Sequence, residues 1–156
     1  MSIIDDAYRR FCQERFPLPT EEQVAELERR IGCTLPADYR QFILNYNGGY
    51  FREPEIEPTV DACPVDLLTY LHGIGAAHPE AELATKYQMS IFEENDPPEI
   101  VPIGETPMGS LILLIVHEDG YGEICFKEAF GDFYFLADGI EEFFSLLRER
   151  PEIETE

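Results

Sequence analysis

Tryptophan is missing from this chain, cations are scarce, and no apolar stretch is long. Eleven Lys and Arg face 32 Asp and Glu over 156 residues, a formal charge of −21. That shortage excludes direct binding to a phosphate backbone, which needs clustered cations to displace counterions. It equally disfavours an anionic membrane surface. The longest uninterrupted aliphatic run, Leu111 to Val116, has six residues, against the ~20 of a membrane-spanning helix. Met1-Ser2-Ile3-Ile4-Asp5-Asp6 turns acidic where a signal peptide would be basic and then apolar. Cys12, Cys33, Cys63 and Cys125 form no CxxC pair and sit among apolar neighbours. They read as buried free thiols in a reducing compartment, so a cytoplasmic protein needing neither disulfide nor metal is expected.

What the chain does contain is core material. It has 11 Phe and 8 Tyr and is 44% hydrophobic, whereas disordered acidic chains lack such residues. Its length fits one domain. Ile4, Ala7, Tyr8, Phe11 and Arg15 recur at helical spacing up to Pro17-Leu18-Pro19. Thr20 with Gln23 predicts a capping box, Val24, Leu27 and Ile31 a buried stripe, and Gly32 a stop. Leu35-Pro36 opens a third helix with Pro at its first position. Tyr39, Phe42, Ile43 and Tyr46 form its apolar face, and Asn47-Gly48-Gly49 ends it.

Beyond Gly49 the pattern turns to strands. Tyr50-Phe51-Arg52 and Ile56 to Val60 read as short strands or extended loop. Val65 to Ile74 fits a helix after Pro64 or a strand leading into a loop, and Leu68, Tyr70 and Gly73 favour the strand. Pro79 to about Met89 predicts a short helix, and Glu93 to Pro98 a loop. Ile100–Ile103 is a short strand, with Gly104–Gly109 a loop after it. Leu111–Val116, apolar on both faces, predicts a central strand. Asp119-Gly120 predicts a hairpin turn into Glu123–Lys127, followed by Phe133–Leu136. Asp138 is expected to cap a last helix carrying Ile140, Phe143, Phe144 and Leu147. The class is α+β, an antiparallel sheet packed against N-terminal helices and a C-terminal helix. Residues 1–50 carry net −2 and residues 51–156 net −19, so the sheet-bearing part holds nearly all the negative potential.

The residues offer little for catalysis. His72, His78 and His117 are scattered and read as exposed imidazoles at turns or strand ends. Gly104-Glu105-Thr106-Pro107-Met108-Gly109 imitates a phosphate loop, yet Ser110-Leu111 stands where Lys-Ser/Thr must follow, and Glu105 would repel phosphate. No GxSxG, HExxH or EF-hand pattern is present. No catalytic, cofactor-binding or metal-ligating residue is expected, nor any cofactor.

One stretch carries a family likeness. Gln23 to Gly49 combines an acidic-apolar helix, Gly32, Leu35-Pro36, a helix bearing Tyr39, and Asn47-Gly48-Gly49. Ile103-Gly104, Gly109, the apolar strand, a Gly turn and Glu142-Phe143-Phe144 follow in order. This pattern resembles the SUKH superfamily, whose members include bacterial immunity proteins and a fungal regulator of cell-wall synthesis. The motif residues themselves read as a helix start, a core face and a positive-φ stop. The resemblance implies a SUKH-like domain over residues 1–150, with 151–156 a disordered acidic tail. It also implies a non-enzymatic domain that neutralises a toxin, a nuclease being one candidate, by covering its basic active-site surface. The alternative is a regulatory or scaffolding module for host-cell proteins. For a basic protein partner, the candidate contacts are the acids of the least regular stretches, Glu53, Glu55, Glu57, Asp61, Glu93, Glu94 and Asp96, with Tyr50 and Phe51 as aromatic anchors. The competing reading makes those acids solvated loop residues and the two rings core.

Overall fold

The first two helices of this chain have ends written in local chemistry. The structure is a computed structural model describing residues 2–60, 63–64, 66–75, 83, 100–129 and 131–149. Ser2 caps α1 (Ile3–Phe11), its hydroxyl accepting from the Asp5 N–H at 3.0 Å. α1 stops a turn before Arg15, because Cys12 turns extended and Cys12–Glu14 forms strand β1. Arg15 instead lays its guanidinium 5.1 Å from the centre of the Tyr8 ring. α2 (Glu21–Ile31) has both halves of the Thr20–Gln23 capping box and ends on left-handed Gly32. α3 (Ala37–Asn45) starts one residue later than expected, with Pro36 as its N-cap. The loop between them is tied by Glu28, which accepts from the Leu35 N–H at 2.7 Å and from Arg40 at 3.3 Å.

The strands form two antiparallel sheets. β2 (Gly49–Phe51), β5 (Tyr70–Leu71), β6 (Ile100–Glu105), β7 (Leu111–Ile115), β8 (Ile124–Lys127) and β9 (Phe133–Ala137) join β1 in the order β1-β2-β5-β6-β7-β8-β9. β3 (Glu55–Ile56), β4 (Asp66–Leu67) and β10 (Leu147–Arg148) form a small second sheet, ordered β10-β3-β4. The aliphatic run is central as expected: Ile112, Leu113 and Leu114 are completely buried. The ambiguous 65–74 stretch contributes two short strands, and β6 runs on through Gly104 and Glu105 before its turn. The expected helix from Pro79 and the loop from Glu93 lie outside the described residues, apart from Leu83. Leu83 is buried and donates its N–H to the Gly73 carbonyl at 2.9 Å.

Two expectations about the last helix, α4 (Ile140–Ser145), need correction. Its N-cap is Gly139, not Asp138. The Ile140 N–H donates at 3.4 Å to Asp38 of α3, so the cap is supplied from 102 residues away. Leu147 is not helical but pairs with Ile56 across β10 and β3.

Facing residues in an antiparallel pair share a side of the sheet, and the register separates the two faces cleanly. Phe51, Leu71, Ile112, Phe126 and Leu136 join Tyr8, Phe42, Phe143 and Phe144 in the main core. On the other face a single transverse row crosses all seven strands: Glu14, Tyr50, Tyr70, Glu105, Leu111, Lys127 and Phe133. Phe16 packs edge-on against Tyr50, and Tyr50 lies 5.3 Å from Tyr70, forming a second small cluster.

Both layers are pinned at the end of α3. Asn47, at φ +58 and fully buried, donates to the carbonyls of Pro17 and Ile74 at 2.7 Å each and accepts from the Ile74 N–H at 2.8 Å. Two glycines let the backbones meet there. A Cβ on Gly48 (φ +76) would lie 2.5 Å from the Leu71 carbonyl, and one on Gly73 would lie 2.2 Å from the Asn47 carbonyl. The Gly48 carbonyl also accepts from the Tyr8 hydroxyl at 2.9 Å.

Gly73→Ala should therefore cost about 3 kcal/mol or more, since backbone rather than a flexible side chain blocks the methyl. Gly32→Ala, left-handed but facing open space, should cost only ~1 kcal/mol. Urea denaturation of the two variants checks the ordering, and equal losses would contradict it.

A second pair of substitutions separates two buried phenols. Tyr8→Phe strands the Gly48 carbonyl and should cost ~1 kcal/mol. Tyr39→Phe should cost nothing or stabilise, because the buried Tyr39 hydroxyl has no hydrogen-bond partner among the described residues. Burial raises both phenol pKa values in the folded state. Their contribution is thus complete below the unfolded value of about 10 and is lost as pH rises above it. Urea midpoints at pH 8 and pH 11 should fall less steeply for Tyr39→Phe than for the parent chain.

Candidate functional site

At the β1 edge the sheet leaves a cleft of about 660 Å³, lined by Gln13, Glu14, Tyr50, Phe51, Arg52, Glu53 and Thr69. Strand alternation decides which rings reach it. Phe51 turns into the core at 3% exposure, packed on Tyr8 and Phe144. It is core and unsuited to anchoring a partner. Tyr50 faces the opposite way and stays half-buried beside exposed Glu14. Thr69 adds a buried hydroxyl oxygen with no partner among the described residues.

Glu53 enters the cleft at a conformational cost. It holds φ +55, a left-handed backbone that disfavours a residue with Cβ by about 1–2 kcal/mol. The chain keeps a long acid there, where Gly or Asn would sit more easily. Glu55 and Glu57 belong to a different environment. Arg148 on β10 reaches them at 3.6 and 3.5 Å, so both acids pair with a cation of the small sheet. The structure therefore brings Tyr50 and Glu53 together with Glu14, which the sequence did not single out, and sets Glu55 and Glu57 apart. Asp61, Glu93, Glu94 and Asp96 lie outside the described residues.

Other chemistry-bearing groups are placed differently from expectation. Only Cys63 is buried; Cys12, Cys33 and Cys125 are half-buried, and all four are free. Burial pushes each thiol pKa upward, which keeps them protonated and weakly nucleophilic at neutral pH. His72 is not exposed but completely buried, edge-on to Tyr70 at 5.2 Å. His117 sits in the β7–β8 turn, its Nδ1 accepting from the Asp119 N–H at 3.1 Å. Among the described residues no three His, Cys, Asp or Glu converge as a metal site, and no helix is long and apolar enough to cross a membrane.

The left-handed backbone at Glu53 can be checked directly. Glu53→Gly should leave stability unchanged or raise it by up to ~1 kcal/mol in urea denaturation, because the strain is relieved. A loss above ~1 kcal/mol would show that the Glu53 side chain serves the fold instead.

Comparison with known proteins fits this architecture. A relative in Bacillus subtilis (strain 168), the SPbeta prophage-derived uncharacterized protein YokK, is 30% identical over 165 aligned positions, covering 91% of this chain and 82% of its own length. The model of the SMI1 / KNR4 family (SUKH-1) matches residues 18–146, from the loop before α2 to the end of α4. The chain thus belongs to the SMI1 / KNR4 family, SUKH-1.

Proposed function

We propose that this chain is a non-enzymatic immunity protein, which neutralises a toxin domain by covering its basic working surface. The observation that carries the reading is the cleft at the β1 edge. There the half-buried Tyr50 ring shares the lining with Glu14, Arg52 and Glu53 on a chain of net charge −21. An aromatic ring beside two acids suits a contact anchor facing a cationic surface, since Tyr is enriched among residues that dominate binding energy. The placement of Glu53 at a strained backbone position supports a role outside the fold. The family to which the chain belongs includes immunity proteins, and the protonated thiols suit a module that performs no chemistry. A nuclease is one candidate target, because a nucleic-acid cleft is a basic surface that an acidic cover could occlude.

The test is binding kinetics at low and high salt against the protein encoded by the adjoining gene. Glu14→Gln with Glu53→Gln should slow association several-fold at low salt and much less at high salt, because rim charges act mainly on encounter. Tyr50→Ala should leave association nearly unchanged and speed dissociation. Unchanged rates in both variants at both salts would remove the cleft from the interface. Absence of any binding by the parent chain would overturn the immunity reading and favour a scaffolding role.

A further inference from the structure

The junction that pins both layers carries two neighbouring residues able to react with each other. Asn47 is followed by Gly48, whereas Asn45 precedes Tyr46 and Asn95 precedes Asp96. Asparagine before glycine is a self-reactive pair. Glycine has no side chain to shield its backbone nitrogen from the carbon of the preceding side-chain amide.

The fold holds this pair away from its own chemistry. Attack on the Asn47 Cγ requires the side chain to swing over the Gly48 nitrogen, with a base to take the proton of that N–H. Both amide hydrogens are committed instead, to the carbonyls of Pro17 and Ile74 at 2.7 Å each, and Oδ1 accepts from the Ile74 N–H at 2.8 Å. The side chain is completely buried, out of reach of hydroxide. Gly73 closes the other side: a Cβ there would lie 2.2 Å from the Asn47 carbonyl and 3.0 Å from its Oδ1. Freeing the amide therefore takes opening of the junction, not a change of rotamer.

We propose that Asn47-Gly48 is a fold-gated self-modification site, closed in the native chain and reactive once the chain unfolds. The Gly48 nitrogen then bonds to Asn47 Cγ, its proton passes to base, and the Cγ–Nδ2 bond breaks with departure of ammonia. Water opens the resulting succinimide at the Cγ carbonyl to give aspartate, or at the backbone carbonyl to give isoaspartate. One water is consumed and one ammonia released, with no change of oxidation state. Neither product closes the junction again. Aspartate would set a carboxylate oxygen where Nδ2 stands, 2.7 Å from two carbonyl oxygens, with no proton to offer them and its charge buried. Isoaspartate lengthens the backbone by a methylene and displaces Gly48. The Gly48 carbonyl is bonded to Tyr8, and its α-carbon is pressed against the backbone of Leu71 and His72. A chain that stays unfolded thus loses the ability to refold, while the native chain is spared. The site acts without any partner.

The full chain, held native and held in guanidinium chloride at the same mildly alkaline pH, tests the gate. Peptide mass spectrometry assigns released ammonia to Asn47, and isoaspartate arising at Asp119-Gly120 or Asp138-Gly139 releases none. Conversion should be about a hundredfold or more faster in denaturant, because modification through an open state tracks its population. A smaller ratio would overturn the gate. After partial conversion and dilution into buffer, the forms converted at position 47 should be enriched about tenfold or more among chains that fail to refold. Refolded chains carrying them in the starting proportion would overturn the irreversibility. Asn47→Asp, made directly, should fail to fold or melt more than ~10 °C below the parent, and a smaller shift would contradict the proposal.

Discussion

Everything on the outer sheet face depends on the backbone contact between Asn47-Gly48 and Leu71-His72-Gly73. The end of α3 and the end of β5 approach so closely that neither Gly48 nor Gly73 has room for a Cβ. Asn47 closes the junction with three hydrogen bonds to Pro17 and Ile74. Because this contact fixes where β2 starts and how it pairs with β5, it also decides that Tyr50 lies beside Tyr70 and away from the core. A buried side-chain amide with its bonds satisfied is specific in a way that apolar packing is not, since any shift would leave polar groups unpaired.

With the register set, the chain divides its resources between the two faces. Most of its aromatic side chains go to the helix side, where Tyr8, Phe42, Phe51 and Phe144 meet ring to ring. Five of its cations pair with acids of the same chain: Arg40 with Glu21 and Glu28, Arg29 with Glu26, Arg9 and Arg10 with Asp6, and Arg148 with Glu55 and Glu57. Exposed pairs of this kind add little stability, typically ~0–1 kcal/mol. Their consequence is electrostatic. With these cations engaged in pairs elsewhere, Arg52 is the cation that shares the cleft lining with Glu14 and Glu53.

The parts legible in the sequence are those encoded within a few residues. Thr20 and Gln23 announce their own capping box, Asp119-Gly120 its turn, and an aliphatic run its place at the sheet centre. What escaped is held by distant partners. β1 and β10 have two or three residues each and exist only because β2 and β3 lie beside them. The cap of α4 comes from Asp38, which no local pattern around Asp138 could signal. Tyr50 and Phe51 show the same limit at the candidate site. Strand alternation says that one ring points inward and one outward, but which ring does so is decided by the pairing with β5.

Carboxylate labelling with a water-soluble carbodiimide, followed by peptide mass spectrometry with and without the adjoining gene's protein, tests the central claim most directly. If a cationic partner covers the cleft at the β1 edge, labelling of Glu14 and Glu53 should fall several-fold in the complex, while Glu22 and Glu26 on exposed positions of α2 stay unchanged. Protection of the α2 acids with full labelling of the cleft acids would contradict the account and move the binding surface to the helices.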